Sequence, residues 1–195
     1  LFSMQMNINP EVKNLQMTSS PSYMFIPVEK WDKEGIRTRK IRIYPNKEQR
    51  KILRKWMGTT RYVYNRTLNA VKEGETLNFY SLRDKFVTSK GNGDVKEWEL
   101  ETPKDIRAGA IRDMVKGFKV ALENLKRGNI TNFNLRYRKK REDKSLEISK
   151  SCIKIHGRSF YMYSSYMTTP IKIAKDKYWN DIIIDSDCRL HIQND

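Results

Sequence analysis

The apolar residues of this chain change their spacing twice, and this change limits the folds that the chain can adopt. From Arg37 to Tyr44 apolar and polar residues alternate, from Asn46 to about Arg127 apolar residues recur every three or four positions, and after Asn132 the alternation returns. A period of two is typical of a strand with one buried face, and a period near 3.6 is typical of an amphipathic helix. The order predicts one strand, a helical block and then several strands.

The first predicted strand has a cationic face. Ile41 and Ile43 lie on one side of it, and Lys40 and Arg42 lie on the other. The strand is therefore expected to be half-buried, with its basic side exposed. Asn46, which follows Pro45, is the expected N-cap of the first helix.

The helical block is divided by glycines and prolines. Gly58 is predicted to break the first helix and Thr59 to restart it as far as Glu73, which gives either a helical hairpin or a helix-turn-helix. The charge pattern does not separate these two arrangements. A shorter helix is predicted over 76–89, and a long one begins at Pro103 and stops at Gly128, since proline fits a first helical turn and glycine fits a helix end.

The long helix has an apolar face with a basic stripe beside it. At about 100° per residue the apolar face contains Ile106, Ala110, Met114, Phe118, Ala121, Leu122 and Leu125, and the basic stripe contains Arg112, Lys116, Lys119 and Lys126. Such a stripe suits phosphate groups, although an ordinary solvated helix face remains an alternative.

The last third of the chain is predicted to be a set of short strands. They are Phe133–Tyr137, Leu146–Ile148, Ile153–Ile155, Phe160–Met162, Ile182–Ile184 and Leu190–Ile192, with a hairpin turn at Gly157-Arg158. Short strands at this spacing favour a small antiparallel barrel. The expected fold is therefore α+β: a small antiparallel β-barrel with a helical insertion between its first and second strands. Residues 1–35 are expected to form a partly disordered N-terminal extension that becomes ordered on a partner.

Positive charge is concentrated in the predicted elements. Between Ile36 and Lys72 there are twelve basic residues and one acid, and between Lys126 and Lys154 there are ten basic residues and three acids. The whole chain has a formal net charge of +16. A charge of this size on folded elements indicates a polyanionic partner, and nucleic acid is the first candidate. A membrane partner is disfavoured, because no long apolar run is present.

The cysteines and histidines argue against a metal site in this chain. Cys152 and Cys188 are far apart and form no CxxC pair, and His156 and His191 are the only histidines. Zinc ligands usually occur in closely spaced pairs. Two isolated cysteines, expected as buried thiols, and the lack of a signal peptide indicate an intracellular, reducing compartment.

The two ends of the sequence suggest a longer protein. The chain begins at Leu1 rather than methionine, and Asn194-Asp195 is typical of a turn after the last predicted strand. A turn requires a returning strand, so we expect the protein to continue beyond Asp195.

Several motifs in order resemble the N-terminal part of TnpB proteins of insertion sequences and their eukaryotic and viral relatives, the Fanzor proteins. The first motifs are Arg42-Ile-Tyr-Pro-Asn46 with Gln49 and Leu53, and Arg61-Tyr-Val-Tyr-Asn65 with Leu68. The later motifs are Thr102-Pro-Lys, Ala110-Ile-Arg-Asp113, Ala121, Lys126-Arg-Gly128, Phe133, Arg136, Arg138 and Lys139 to Arg141. The resemblance covers 37–195, and the long N-terminal extension and the bias towards Ile, Asn and Lys favour a Fanzor of a giant virus.

This resemblance implies the guide-RNA- and target-DNA-binding half of an RNA-guided DNA endonuclease. Residues 36–45 and 130–195 would be the wedge β-barrel, and residues 46–129 would be the recognition domain. The partners would be a guide RNA and double-stranded target DNA with a short target-adjacent motif, and the location would be the nucleus or a viral factory. In such proteins base pairing reads the sequence, while the protein reads shape, backbone and the adjacent motif.

The resemblance places the cleavage chemistry outside this chain. A RuvC-like nuclease domain with three acidic residues, Mg²⁺ and a zinc-binding insertion is expected downstream of Asp195. Asp185 and Asp187 follow a predicted strand as a RuvC carboxylate would, but no second carboxylate motif or cysteine pair follows them. We therefore expect no catalytic residue, metal ligand or cofactor site within the chain, and interpret this run as a turn.

The expected DNA-binding residues are Tyr80, Ser81, Lys104, Arg107, Arg112 and Lys116. By position, the resemblance places Lys104, Arg107, Tyr80 and Ser81 near the motif-bearing duplex, and the basic stripe adds Arg112 and Lys116. Arg107 projects towards the apolar face, which is costly without a partner. The alternative is an ion pair of Arg107 with Asp105 or Glu101.

The expected RNA- or heteroduplex-binding residues are Arg54, Arg61, Asn65, Arg136, Arg138, Lys139, Lys140 and Arg141. The last five are cations within six positions, which repel one another without an anion, although a solvated loop is an alternative. Asn65 has a structural alternative, a hydrogen bond to a neighbouring backbone.

Two other functions fit the sequence. One is a stand-alone helix-turn-helix DNA-binding transposon protein, and the other is a basic structural RNA-binding protein. Carboxylate motifs and CxxC pairs beyond Asp195 would favour the nuclease interpretation over both.

Overall fold

The computed structural model has an α+β fold. It describes residues 2–8, 37–88, 95–140, 144–157, 159–174, 184 and 186–192. The strands are β1 (Phe2–Ile8), β2 (Arg37–Tyr44), β3 (Lys144–Ile148), β4 (Ile153–His156), β5 (Ser159–Met162), β6 (Ile171–Ile173) and β7 (Cys188–Ile192). The helices are α1 (Lys47–Lys72), α2 (Phe79–Phe86) and α3 (Lys104–Lys126), with short 3₁₀ turns at Glu97–Glu101 and Lys150–Cys152.

The strands form one antiparallel sheet in the order β3-β7-β1-β2-β6-β5-β4. β1 lies inside this sheet, between β7 and β2, with Phe2 in register with Ile43 of β2 and Ile192 of β7. The prediction of an N-terminal extension for this segment missed the strand. Its alternation of Phe2, Met4, Met6 and Ile8 with polar residues was the available signal. The rest of the predicted extension lies outside the described residues.

The sheet is strongly curled but open. Residues 149–152 alone separate the edge strands β3 and β4 in the sequence. A flat seven-stranded sheet would hold its edges about 29 Å apart, whereas the connection from Ile148 to Ile153 can span at most about 18 Å. Within the described ranges no strand pairing joins β3 to β4, so the predicted barrel is not confirmed. The connection is fixed at both sides: Lys150 N donates to Asp187 Oδ1 at 2.9 Å, and Tyr163 N donates to Cys152 O at 2.9 Å.

One face of the sheet and the beginnings of α1 and α3 share the main core. Its buried residues include Ile41, Ile43, Leu53, Trp56, Met57, Ile106, Leu146, Ile148, Phe160, Met162, Ile171, Cys188 and Leu190. Trp56 lies at its centre, where its ring meets Tyr163 edge-to-face at 5.4 Å and its Nε1 donates to Glu101 O at 3.3 Å. The hairpin of β4 and β5 at Gly157, where φ is +56°, agrees with the sequence prediction.

The N-terminus of α1 is capped as expected. Asn46 Oδ1 accepts from Gln49 N at 2.8 Å, and Gln49 Oε1 accepts from Asn46 N at 2.9 Å, so the two residues form a capping box. Gln49 Nε2 also donates to the carbonyl oxygens of Thr169 and Pro170, at 2.9 and 3.2 Å. The cap therefore ties the start of the helix to the segment before β6.

The predicted break at Gly58 is wrong, because α1 is a single helix of 26 residues. Trp56, Met57, Thr59 and Thr60 are all buried around the glycine. The hydroxyl of Thr60 donates to Trp56 O at 2.8 Å and that of Thr59 to Lys55 O at 3.2 Å. Packing on both sides of Gly58 outweighs the roughly 1 kcal/mol that a glycine costs inside a helix.

A second core forms between the later parts of α1 and α3 and the short helix α2. It contains Val63, Tyr64, Leu68, Ala70, Leu82, Phe86, Val87, Ala110, Ile111, Met114 and Val115. α2 begins after Asn78, whose side chain accepts from the backbone of Tyr80 and Ser81. The long helix begins after Pro103 and ends before Gly128, where φ is +73°, both as predicted. Since the starts of α1 and α3 share one core and their later parts share the other, these two helices run in the same direction.

The predicted strand Phe133–Tyr137 is wrong, because residues 131–139 belong to no strand. The segment packs on α1 instead, and helix side chains take the place of a neighbouring strand. The predicted strands at Leu146–Ile148, Ile153–Ile155, Phe160–Met162 and Leu190–Ile192 are confirmed, while β6 was overlooked. Of the predicted strand Ile182–Ile184, only Ile184 is described, and it is not in a strand.

Candidate nucleic-acid interface

Many cations of the described residues are exposed and have no acidic partner there. They are Lys40, Arg42, Lys47, Arg50, Arg54, Lys104, Lys116, Lys119, Lys126, Arg136, Lys140, Lys154 and Lys172. The acids nearby are already engaged: Glu48 pairs with Lys51, Glu101 with Lys55 and Glu123 with Arg127. The folded chain therefore carries uncompensated positive charge on rigid elements, which attracts anions.

Three of these side chains, together with the half-buried Arg61, follow one line along the first half of α1. At about 100° per residue, Lys47, Arg50, Arg54 and Arg61 lie within roughly 80° of one another around the helix axis. The first three are exposed and Arg61 is half-buried. We call this set the α1 cationic face. Arg54 and Arg61 are among the predicted RNA-binding residues, whereas Lys47 and Arg50 are not, although their helical spacing places them on the same face.

An extended segment covers the later part of the same side of α1. Asn65 Nδ2 donates to Arg138 O at 3.1 Å, and Arg138 N donates to Asn65 Oδ1 at 2.8 Å. One turn further along α1, Asn69 Oδ1 accepts from the hydroxyl of Tyr137 at 2.9 Å. Lys72 Nζ then donates to Asn134 Oδ1 at 2.9 Å. Residues 134–138 therefore run antiparallel to α1, and the structural alternative for Asn65 describes its contacts.

Arg138 is held by contacts within the chain. Its guanidinium lies 3.9 Å from the centre of the Tyr64 ring, and its NH2 donates to Asp113 Oδ2 at 3.1 Å. Asp113 also accepts from Arg189 NH2 at 2.7 Å. Burial by itself would raise the pKa of Asp113, but hydrogen bonds and charge attraction from Arg189 and then Arg138 outweigh it and lower that pKa. Arg138 thus joins the extended segment to α3 and β7.

A second carboxylate extends this charge network across the sheet. Glu147 of β3 pairs with Arg112 of α3, and Arg189 NH2 lies 3.8 Å from Glu147 Oε2. Arg112 also lies over the ring of Phe79, at 5.4 Å from its centre. Arg112, predicted to bind DNA, is half-exposed at 50% of its side chain, so its guanidinium is shared between the protein and solvent.

Arg107 is buried, which weakens its predicted role in DNA binding. Only 4% of the residue is exposed. Its Nε donates to Thr102 O and its NH1 to Val87 O, each at 3.1 Å. Burial lowers the pKa of the guanidinium, an effect that Glu99 partly offsets. Neither of the expected ion pairs, with Asp105 or Glu101, is formed among the described residues.

The other predicted DNA-binding residues lie on α2 and α3. Tyr80 is 67% exposed beside Arg83, and Ser81 donates its hydroxyl to Asn78 O at 3.2 Å, within the start of α2. Lys104 is exposed at the start of α3, and Lys116 is exposed near its middle. The structure does not bring these four side chains into direct contact with one another.

The remaining predicted RNA-binding residues continue from the extended segment. Arg136, Lys139 and Lys140 are exposed. Arg141 lies outside the described residues. Lys140 follows two residues after Arg138, within about 7 Å of it along the chain.

The described part of the chain contains no group of three or more His, Cys, Asp or Glu residues that could hold a metal ion. Asp185 lies outside the described residues, and Asp187 accepts a hydrogen bond from the backbone of Lys150. Cys188 is buried, whereas Cys152 is half-buried with its Sγ at 3.9 Å from Asp105 Oδ2. None of the described helices has both the length and the apolar content of a membrane span.

Comparison with known proteins gives a class for one segment. Residues 36–74 match the family model described as “Helix-turn-helix domain” (HTH_OrfB_IS605). A particular relative is the “Putative transposase A625R” of Paramecium bursaria Chlorella virus 1, to which this chain is 31% identical over 125 residues. The match covers 60% of this chain but only 29% of the length of that relative.

The described part of the matched segment does not contain the helix-turn-helix that the description of its family model names. Residues 37–72 form strand β2 and the uninterrupted helix α1, so no turn between two helices occurs inside this part of the match. The first helix-to-helix turn comes later, between Lys72 and Phe79, where Gly74 has a φ of +109°.

Proposed function

We propose that this chain is the guide-RNA- and target-DNA-binding half of an RNA-guided DNA endonuclease of the TnpB/Fanzor type, within a transposon-associated protein. The observation that carries the proposal is uncompensated positive charge fixed on packed elements, chiefly the α1 cationic face and the extended segment beside it. Fixed cations on a rigid surface suit a double helix whose backbone has a regular shape. The similarities to an IS605-type family model and to a viral protein named as a transposase support the same class.

In this proposal the chain binds and positions nucleic acid and does not cleave it. The RNA or heteroduplex backbone lies along Arg54, Arg61, Arg136, Lys139 and Lys140. The duplex that carries the target-adjacent motif lies near Lys104, Lys116 and Tyr80. Cleavage, with Mg²⁺ and structural Zn²⁺, belongs to a nuclease domain outside this chain, and the finer assignment is a Fanzor of a giant virus. A wedge domain that closes to a barrel around the guide is part of the same proposal.

Bound RNA is the decisive test. The chain is expressed together with the DNA that flanks its gene, and the RNA that stays bound through a high-salt wash is sequenced. We expect one RNA species with defined ends. Random fragments that moderate salt removes would overturn the guide-RNA part of the proposal, because non-specific electrostatic binding is strongly salt-dependent.

Two double variants that remove the same amount of charge show where the RNA lies. Arg136→Gln with Lys140→Gln removes two cations of the extended segment, and Lys154→Gln with Lys172→Gln removes two exposed cations of the sheet. We expect the first pair to release more of the bound RNA than the second. Equal losses in the two pairs would contradict a defined binding surface and would indicate a general charge effect.

One observation favours a second function, a stand-alone DNA-binding transposon protein. The family model matched by residues 36–74 is described as a helix-turn-helix domain. Specific binding of a duplex DNA by the chain without any RNA would support this second function. DNA binding that requires a complementary guide would support the first.

A further inference from the structure

The contacts among the described residues do not explain why position 58 is a glycine. It lies in the interior of α1, where glycine is less favourable than alanine by roughly 1 kcal/mol in general. Its φ is not positive, unlike those of Gly74, Gly128 and Gly157, so the backbone does not require glycine there. A Cβ built at Gly58 would meet no atom within 4 Å in the described structure. The surface above this glycine is therefore open.

The glycine lies within the α1 cationic face. At about 100° per residue, Gly58 falls within the same arc of roughly 80° as Lys47, Arg50, Arg54 and Arg61. It separates Arg54 from Arg61, so the helix backbone is bare between two cationic turns. From Lys47 to Arg61 the face is about 21 Å long.

No acid among the described residues neutralises the charge of this face. Glu48 is paired with Lys51 and Glu101 with Lys55, and these pairs border the face rather than crossing it. No ion pair joins Lys47, Arg50, Arg54 or Arg61 to a described acid. The face therefore attracts a partner with regularly spaced negative charge.

The later part of the same side of α1 is covered, and its contact shows a different chemistry. There the extended segment binds through the amides of Asn65 and Asn69 and the ammonium of Lys72. The α1 cationic face has no such amides and no apolar residue within its arc. A partner helix would need apolar contacts at helical spacing, which this face does not provide.

We propose that the sugar-phosphate backbone of a nucleic-acid double helix lies along the α1 cationic face and packs directly against Gly58. This inference rests on the proposed function and adds to it a position and an orientation. One strand of a double helix carries one phosphate per 3.4 Å of axis, so the 21 Å face spans about six base-pair steps. The bare backbone at Gly58 lets the phosphate chain approach while Arg54 and Arg61 bind phosphates on either side.

The inference predicts an opposite effect of one methyl group on stability and on binding. Gly58→Ala removes the conformational cost of glycine, so its melting temperature should rise by about 2–4 °C. The added Cβ occupies the space that the phosphate chain needs, so affinity for a duplex should fall by about tenfold. A purely structural glycine would not separate the two quantities in this way.

Gly117→Ala is the matched control. Gly117 lies inside α3, and a Cβ there also meets no atom within 4 Å. The same rise in melting temperature is expected, with duplex affinity unchanged. Arg54→Ala and Arg61→Ala should each lower the slope of log affinity against log salt by about 0.9, as the loss of one phosphate contact does.

The probes are fluorescein-labelled 20-base-pair duplexes of one sequence, made as DNA–DNA, RNA–DNA and RNA–RNA, measured by anisotropy over a salt series with the purified chain. The duplex whose affinity Gly58→Ala lowers most identifies the natural occupant. If the wild-type chain binds none of the three, the proposed function fails along with the inference. If it binds and Gly58→Ala binds equally well, the inference is overturned while the proposed function stands.

Discussion

Gly109 of α3 lies directly against Glu147 of β3, because a Cβ added at the glycine would lie 3.3 Å from Cβ of Glu147. Glu147 Cβ is part of a paired strand, so it cannot move without moving β3. The glycine therefore permits the contact through which Glu147 reaches Arg112 and Arg189.

Gly109→Ala should destabilise the protein by about 1–2 kcal/mol, because overpacking against β3 exceeds the gain in helix propensity. Gly117→Ala in the same helix has no such neighbour and should stabilise it by up to about 1 kcal/mol. Urea unfolding of the two variants beside the wild type checks this difference in sign. If both variants changed the free energy of unfolding in the same direction, the close contact at Gly109 would be contradicted.

Asp113 should make stability depend on pH. The pKa of its carboxyl group is lowered in the folded protein, so the group binds a proton more readily in the unfolded chain. Its contribution is therefore fully present above the ordinary carboxyl pKa of about 4 and is lost as pH falls through the lower folded value. The free energy of unfolding of Asp113→Asn should lack this loss.

At pH 7, Asp113→Asn should reduce the free energy of unfolding by about 2 kcal/mol, because two arginines lose a charged acceptor. Urea unfolding at several pH values between 7 and about 3 gives both quantities. If the free energies of unfolding of wild type and Asp113→Asn differed by the same amount at every pH in that range, the carboxylate would not titrate as proposed.

Asn65 should contribute to stability through both of its hydrogen bonds to Arg138. Asn65→Ala removes the side-chain donor and acceptor that bind the backbone of Arg138. The variant should lose about 1–3 kcal/mol of its free energy of unfolding. Asn65→Asp keeps the acceptor and should lose less. Hydrogen exchange at the amide of Arg138 should accelerate in Asn65→Ala, and an unchanged rate would argue against the contact.

Arg107 should contribute to the stability of the fold, whereas Lys104 should contribute to the affinity for DNA. Arg107→Met leaves the carbonyl groups of Thr102 and Val87 without their donor, so it should reduce the free energy of unfolding by about 2–3 kcal/mol. The affinity of the folded variant for a DNA duplex should be unchanged. Lys104→Ala should leave the melting temperature unchanged and weaken DNA binding, with a salt slope smaller by about 0.9.

Thermal melts and anisotropy titrations of both variants check these expectations. A folded Arg107→Met protein with weakened DNA binding would show that this arginine reaches the duplex. In that case its buried position would have to change on binding.

The period of apolar residues was sufficient to predict most elements. Ile41 and Ile43 identified β2, and Ile106 with Met114 identified the buried face of α3. The break at Gly58 was wrong because local propensity carries no information on the tertiary packing around Trp56 and Thr60. Phe133–Tyr137 was wrong for a related reason, since alternation marks an extended segment and does not reveal which neighbour supplies its hydrogen bonds.

The site was harder to predict than the fold. Sequence identifies a cation, but it does not show which acid or carbonyl group accepts from it. Arg107 and Arg138 each donate to an acceptor twenty or more residues away, whereas Arg54 and Lys104 have no such acceptor among the described residues. The alternative weighed for Asn65 was informative because a short amide beside a cationic run often binds a backbone.

The position of β1 constrains how the protein is made. Strand β1 pairs with β7, which is synthesised much later, so Phe2 must wait for Ile192 before this neighbour exists. At about 5–20 residues per second this interval lasts roughly 10–40 seconds. During this interval one edge of β1 is open to chaperones and to other unfinished chains.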